Sequence, residues 1–554
     1  MLGRIKLYFN TCKKMKPSQV YYRLAKKVGI KCTLGCTPEE KVLQAIPVNT
    51  PEELDFDQKF LARFDADEFV EDRIMFLHSR ETFDWTSEWE FKGKSALWNF
   101  NLHYFEYLFS LVKAYRDTGN RKYLDKTIFC MNNWITKNPK GKGTGWSPYP
   151  IDLRLTNWLG YYSAVGSELP DEFRNRLLNS MYEQYCYLSE HLEKDILGNH
   201  YFEDLKTLVL CSIFFEDDKM LDVSRKAFVA ECREEILPDG MHFELSPMYH
   251  KIVLEGVLRV AVALRGAGKK CQEVEEYIQP MLDVAWSLEE GLDRIPLFND
   301  GGNNVAKSLD ALVNLCKQEF GVIPRFKSQF RDSGFYIFKW GVWKMVVDAG
   351  QPGPDYIPGH AHCDAMSFEL FENGKPIIVN CGTYAYQSQE RDVFRSTVAH
   401  NTVMVNGTEQ SQYWGSFRMA KRSSVAVLEV SETSLTAEMR DWKGQQIRRE
   451  FVITPEQIRI SDTAETGPLK SFYHFTEPAL VGALESSTGN IRKQFEMPYA
   501  VDYGRKENVT TVSLEHTERI TATIQLESIL RKGKMSCEEK RCRSDRLHAK
   551  SQNL

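Results

Sequence analysis

The hydrophobic period of this chain changes once, near Phe326, and the change restricts the folds open to it. Upstream, apolar residues recur at helical steps. In KYLDKTIFCMNNWITKN, Leu124, Ile128, Met131 and Ile135 lie three or four residues apart. YHKIVLEGVLRVAVALRGAG carries Ile252, Leu254, Val257, Val260 and Leu264 along a second helix, which Gly266 and Gly268 stop. Ser246 and Pro247 precede it as N-cap and first-turn proline. Downstream, SGFYIFKWGVWKMVVDAG is rich in aromatic and β-branched residues, and SFELFENGKPIIVNCG reads as strand, Asn-Gly turn, strand. NTVMVNG, SVAVLEVSE, SLTAEMRDW, QIRREFVIT, QIRISDTAE and ERITATIQLE continue the series of short strands. The expected architecture is an α+β multidomain chain. A helical segment occupies 1–54, and helical hairpins closing into a toroid or solenoid occupy 55–325. A β-sandwich occupies 326–530, and a basic tail with few large apolar residues, expected to be disordered, occupies 531–554.

Bulk properties bound the function. A chain of 554 residues exceeds one ordinary core and predicts about two to four domains. The net charge of -5 excludes a chain-wide basic platform for nucleic acid, so an anionic ligand must be met by a local basic cleft. Aromatic residues reach 12%, which suits stacking on sugar rings as well as large cores. Of the 13 cysteines, Cys32 with Cys36 and Cys537 with Cys542 lack paired zinc-finger spacing. The scattered Cys130, Cys211 and Cys316 favour reduced thiols. The start, MLGRIKLYFNTCKKMKPSQVYYRLAKKVGI, is basic but lacks the apolar run of a signal peptide. No stretch approaches the roughly 18 apolar residues of a membrane span. The expected location is cytoplasmic or peripheral to the membrane. The basic, aromatic start reads either as a surface-seeking amphipathic segment or, preferred here, as a first helix packed on the body.

The strongest local signal for chemistry is PGHAHCDAMSFELFENGKPIIVNCGTYAY. His360, His362 and Asp364 alternate, so on an extended strand all three face one side. That spacing suits a metal site, a proton-transfer cluster or a polar cluster at a strand edge. RSTVAHNTVMVNG adds His400 and Asn401, with Arg391 and Arg395 upstream as partners for a carboxylate or sulfate. In the helical half, GNHYFEDLKTLVL sets Gly198, Asn199, His200 and Glu203 at a loop-to-helix start. FELSPMYHKIVLEGVL sets Glu244, Tyr249 and His250 at another. Asn and His at helix starts are also ordinary caps.

Together these motifs resemble the heparinase II/III family of polysaccharide lyases. HxHxDxxSFEL, a strand ending in GTYxY, then Arg and HNT, is similar to its C-terminal half. WSPYPIDLRLTNWL, GNHYFE and ELSPMYH follow its helical half in order. The resemblance covers roughly residues 95–420. It implies an incomplete α/α toroid followed by an antiparallel β-sandwich, with the cleft between them and an acidic polysaccharide as substrate. The implied reaction is β-elimination at a uronate. Such a site must neutralise the carboxylate, remove the proton alpha to it and protonate the leaving oxygen. Carried over, Asn199 hydrogen-bonds the carboxylate with His200 beside it, Tyr249 is base, acid or both, and His360 is the opposing acid/base. Glu203 matches a carboxylate used by some members and is equally well an ordinary first-turn Glu. Arg154, Asn157 and Trp158 match a segment near the cleft. Arg395 and the aromatic-flanked His103 are further substrate-contact candidates, His103 fitting a packed toroid wall at least as well. The family pattern also implies a structural zinc on His362, Asn380 and His400, with Asn380 a weak substitute for the usual Asp and Asp364 or water completing the shell. No organic cofactor is implied.

Two other functions compete. A toroid-type glycoside hydrolase needs two carboxylates facing the scissile bond, and Glu203 with Asp364 is the best pair on offer. A non-catalytic glycan-binding or assembly factor on the same fold needs no catalytic set, yet Asn199, His200, Tyr249 and His360 are all present. A member without a leader fits exopolysaccharide or capsule metabolism.

Overall fold

A computed structural model describes residues 2–39, 48–487 and 491–531. The expected tail lies, apart from its first residue, outside the described residues. Helices dominate as far as Leu309–Phe320, and the strands of the sandwich begin at Gln329–Phe330. The longer helices pack as consecutive neighbours. Leu108–Thr118 lies on Arg121–Lys137, and Asn199–Phe214 lies on Asp218–Glu235, Pro148–Val165 and Pro247–Gly266. Asn199–Phe214 is buried along nearly its whole length because helices cover it on several sides. A short hairpin, Arg73–Phe76 with Ser79–Thr82, interrupts the helical body, which the helical periodicity did not foreshadow.

The C-terminal part is two antiparallel sheets. The smaller has six strands in the order Ser424–Val430, Ser434–Arg440, Gln446–Ile453, Gln457–Ala464, Arg519–Gln525, Leu484–Ser486. The larger has nine and runs from Ile491–Asp502 through Arg505–His516, Leu469–Phe475, Lys375–Ile378, Ser367–Glu372 and Trp343–Asp348 to Phe335–Trp340 and Gln329–Phe330. Val403–Val405 also pairs with Leu469–Phe475. Asn373 and Gly374 form the turn between two of these strands, both with positive φ (46° and 85°). A Cβ on Gly374 would lie 2.5 Å from the Gly291 carbonyl, so only glycine fits there.

The larger sheet is covered on both faces. Tyr336, Phe338, Met345 and Val347 point into the core between the sheets. Their alternating neighbours Phe335, Ile337 and Val346 pack with Met241, Leu245, Val284 and Leu288 of the helical body. Period-two alternation sends successive side chains to opposite faces, and here both faces are apolar. Each such side chain contributes about 1.5–3 kcal/mol on burial, which holds the sheet firmly against the helices. A third core, with Met248, Ile295, Leu297, Val379 and Cys381, continues this junction to the floor of a cleft.

Candidate active site

The cleft lies where the helical body meets the sandwich. It has a volume of about 260 Å³, and its lining includes Asn199, His200, Tyr249, His360, Tyr386 and Tyr503. Its centre is organised by Asp300, a residue that the motifs did not single out. Asp300 accepts from His360 Nδ1 at 2.8 Å, His362 Nε2 at 2.9 Å and Thr383 Oγ1 at 3.1 Å. Arg391 closes on both of its oxygens, one at 2.7 Å. Burial opposes ionisation here, but Arg391 foremost, with the two histidines, holds the Asp300 carboxyl well below the usual carboxylate range. The segment with His360, His362 and Asp364 is a loop leading into strand Ser367–Glu372 rather than a strand. The alternation still acts as expected, because all three side chains meet the Asn299–Asp300 turn. Asp364 accepts the Asn299 backbone N–H at 2.8 Å.

This network fixes the state of His360. With Nδ1–H given to Asp300, the Nε2 lone pair faces the cleft, where Asn199 Nδ2 stands 3.3 Å away. Asn199 also donates to Glu244 Oε2 at 3.1 Å. It opens helix Asn199–Phe214 directly after Gly198, whose φ is +62°. A Cβ on Gly198 would lie 2.7 Å from Glu244 Oε1, which accounts for glycine in GNH. His200 leans on the Tyr149 ring and pairs through Nδ1 with Glu193 Oε2 at 2.7 Å. Burial alone would lower its pKa, yet the Glu193 carboxylate turns the net shift upward, so this histidine holds its proton more tightly than a free imidazole.

Tyr249 stands in the first turn of helix Pro247–Gly266, where Ser246 Oγ caps its backbone N–H at 3.2 Å. The same hydroxyl donates to the Asp300 carbonyl at 2.5 Å, tying the helix start to the central turn. The Tyr249 and His360 rings are in contact, with centroids 4.0 Å apart. Tyr249 Oη shares a hydrogen bond with Tyr386 Oη at 2.7 Å, which continues to Tyr503 Oη at 2.7 Å. Burial foremost, with Tyr503 and Asp300, pushes the Tyr249 phenol well above its ordinary pKa, so it rests protonated. Three non-glycine residues with positive φ, Leu197, Leu245 and Asn299, sit just before the segments that supply Asn199, Tyr249 and Asp300. Such backbone costs about 1–3 kcal/mol each and concentrates at functional sites.

Several expected substrate contacts are structural instead. Arg154 is fully buried among helices, donating to Gln184 Oε1 at 2.7 Å and the Gly145 carbonyl at 2.8 Å while lying over Trp134. Trp158 packs in the same core against Phe105 and Trp134. His103 accepts from Trp134 Nε1 at 2.9 Å, and burial lowers its pKa to about 3. Arg395 is buried and donates to the carbonyls of Ala361 and Gly415, so it shapes the His360 loop from behind. Arg391 is spent on Asp300. Asn157 does line the cleft, held by the Tyr104 carbonyl at 2.8 Å. Glu203 lines it too, buried and paired with Lys206. Asp364 points into the protein, so Glu203 and Asp364 do not face each other across the cleft. Lys307, unmarked by any motif, lines the cleft over the Phe60 ring at 3.5 Å, with no ion-pair partner among the described residues.

The zinc reading fares differently. His362 Nδ1 and His400 Nε2 face each other at 3.3 Å, a spacing compatible with two imidazoles on one tetrahedral ion. The remaining donors do not complete it. Asn380 Oδ1 accepts the Asn401 backbone N–H at 3.0 Å, and its Nδ2 donates to Ser367 Oγ at 3.3 Å. The carboxylate bonded to His362, Asp300, is neutralised by Arg391. Burial foremost lowers the His362 pKa to about 4, although the hydrogen bond and charge of Asp300 act against it. Among the described residues, no group of three or more His, Cys, Asp or Glu side chains is arranged to hold a metal ion. The residues present do not fit zinc.

A helical toroid closed against an antiparallel sandwich, with Asn199, His200, Tyr249 and His360 gathered at their junction, defines the fold class. The chain belongs to the heparinase II/III family: its N-terminal family model matches residues 19–324, and its heparinase II/III-like C-terminal model matches residues 323–540. The chain is 24% identical over 358 residues to a heparin-sulfate lyase of Pedobacter heparinus, covering 57% of this chain and 53% of that protein. Against a heparin-sulfate lyase of Bacteroides stercoris it is 25% identical over 387 residues, covering 60% and 57%. The chain thus spans just over half the length of these curated relatives. The crystal structure of heparinase III shares the fold with a TM-score of 0.65 at 17% identity, covering 92% of each chain.

Proposed function

We propose that this chain is a polysaccharide lyase that breaks uronic-acid-containing glycans by β-elimination. The observation that carries the reading is the convergence of Asn199, His200 and Tyr249 from the helices with His360 from the sandwich on one cleft, His360 being oriented by Asp300. Asn199 and His200 meet the uronate carboxylate and make the neighbouring C–H acidic enough to lose its proton. His360 Nε2 takes that proton. The C–H electron pair forms the ring double bond as the glycosidic C–O bond breaks, and Tyr249 gives its phenolic proton to the leaving oxygen. Tyr386 and Tyr503 support the phenolate that remains until His360 and solvent restore the starting state. The contact between the Tyr249 and His360 rings leaves no room for a sugar between them, so both act from one face of the ring. Elimination from one face suits glucuronate, whose proton and leaving oxygen lie on the same side, rather than iduronate.

The named relatives act on heparin sulfate, and the acidic substrate class is taken from them together with Lys307 and His200 in the cleft. The glycoside hydrolase reading loses its best pair, because Asp364 is not among the residues lining the cleft with Glu203. A glycan-binding protein without catalysis has no need for a histidine held in one tautomer by a buried carboxylate. The test is a panel of glucuronate, iduronate and alginate polymers, read by near-ultraviolet absorbance of the unsaturated product. Absorbance should rise on glucuronate-containing chains. Silence across the panel with a correctly folded protein would contradict the proposal.

A further inference from the structure

The first two helices, Leu2–Cys12 and Pro17–Lys27, are not used by the cleft, and each turns a stripe of apolar side chains to solvent. On Pro17–Lys27 the inner face is Gln19, Tyr22 and Ala25, spaced three apart and turned to the body. Gln19 donates there to the Ile196 carbonyl at 3.1 Å. The opposite face carries Val20, Tyr21 and Leu24, continued by Val28 just past the helix end, all exposed, Val28 at 74%. On Leu2–Cys12 the inner side packs on Trp414, with Tyr8 edge-on at 4.7 Å and Thr11 Oγ1 accepting from Trp414 Nε1 at 3.0 Å. Ile5 and Phe9, one turn apart, face solvent, Phe9 at 69%. Exposed apolar groups on this scale are uncommon on a monomer and mark a surface that something covers.

The charge around the stripe indicates what covers it. The first 38 residues hold nine Lys and Arg and no Asp or Glu. Lys14, Lys16 and Lys31 reach acidic residues of the body, as Arg23 and Lys26 do on Asp195. Lys6, Lys13 and Lys27 are exposed and have no ion-pair partner among the described residues. Aromatic and aliphatic residues framed by unpaired lysines are the composition of an interfacial helix that lies in the plane of a bilayer. A second copy is a poor occupant, because a two-fold interface would set these cations against their own images.

We propose that these two helices dock the protein on an anionic lipid surface, with Ile5, Phe9, Tyr21, Leu24 and Val28 entering the headgroup boundary and Lys6, Lys13 and Lys27 meeting lipid phosphates. The preference for a first helix simply packed on the body thus describes only its inner face. The surface adjoins the cleft. Trp414, which seats the first helix, ends the first strand of a short hairpin, Tyr413–Trp414 with Arg418–Met419, and the turn residue Phe417 lies 6.1 Å from His360 between ring centroids. Docking therefore brings the cleft rim near the bilayer, where glycan attached to or emerging from a membrane is within reach.

The test uses the full chain and sedimentation with vesicles of phosphatidylcholine, alone or mixed with phosphatidylglycerol. The wild type should co-sediment with the anionic vesicles and be released by salt. The Lys6→Gln, Lys13→Gln, Lys27→Gln variant should partition about a hundredfold more weakly, from the usual contribution of each cation near such a surface. Independently, Tyr21→Ser, Leu24→Ser, Val28→Ser should lose binding while its melting temperature stays near that of the wild type, since these side chains make few contacts with the body. No binding to anionic vesicles, equal binding to neutral ones, or binding unchanged in both variants would overturn the proposal. Dimerisation that depends on the stripe, without vesicle binding, would assign the surface to a second copy and overturn it too.

Discussion

Replacing Asp300 by Asn separates orientation from folding at the centre of the site. The carboxylate accepts from four side chains, His360, His362, Thr383 and Arg391. Asn keeps the shape but offers one acceptor oxygen and turns an N–H toward a histidine. Arg391, 2% exposed, would lose its counter-charge, and breaking a buried pair in this way costs about 3–5 kcal/mol. His360 would also lose the partner that holds Nδ1 protonated, presenting the wrong nitrogen to the substrate. In a comparable carboxylate–histidine arrangement, loss of the correct tautomer costs about 10⁴-fold in rate. Initial rates should be measured below the melting temperature of the variant, which thermal unfolding supplies. The double variant Asp300→Asn, Arg391→Met should recover most of the stability, because both partners of the buried pair are gone, and should recover none of the rate. A single variant within about tenfold of the wild-type kcat would refute the role of Asp300 as the group that orients His360.

Lys307→Met should raise KM for an acidic glycan by about tenfold to a hundredfold with kcat less affected, as for loss of one charged hydrogen bond. An unchanged KM would remove Lys307 from substrate binding. Stability should fall as the pH drops below about 6.5. His103, His242, His250, His362 and His474 are buried with pKa values lowered to about 3, 4, 3, 4 and 4. For a histidine with a lowered folded pKa, the unfolded chain takes up the proton first. Each therefore favours unfolding by about 1.4 kcal/mol at about pH 5.5, and the loss grows until the folded pKa is reached. Melting temperatures that hold constant across that range would show that these rings are not buried as described. Elemental analysis of purified protein should find zinc far below one per chain, and chelation should leave the melting temperature unchanged. Stoichiometric zinc lost in His362→Ala would contradict the donor analysis.

Much of this was legible in the sequence because local patterns carry it. The change of period near Phe326 marks where helices give way to strands. GNH, ELSPMYH and the alternating histidines supply four residues that line one cleft, since each is held by its own helix start or loop. What escaped detection depends on distant partners. Asp300 lies in FNDGGNN, some 60 residues from His360, and Tyr503 is more than 100 residues from Tyr386. Neither carries a local signature, although the turn residues around Asp300 mark a tight loop. Arg154 and Trp158 misled for the opposite reason. Their motif is genuine, but it serves the packing behind the cleft wall, where Arg154 satisfies carbonyls at helix ends and Trp158 fills the core. The doubly covered sheet escaped too, because a short apolar stretch such as Met345–Val347 does not name the layer on each side.

The central claim, that bond breakage is elimination at a uronate, is tested most directly by digesting a glucuronate-containing polysaccharide in water enriched in heavy oxygen and weighing the products. Elimination takes no oxygen from solvent, so the new non-reducing ends should be unsaturated, lighter by one water than hydrolysis products and free of label, and Tyr249→Phe should abolish them. Products of full hydrolytic mass carrying heavy oxygen, or undiminished cleavage by Tyr249→Phe, would contradict the account.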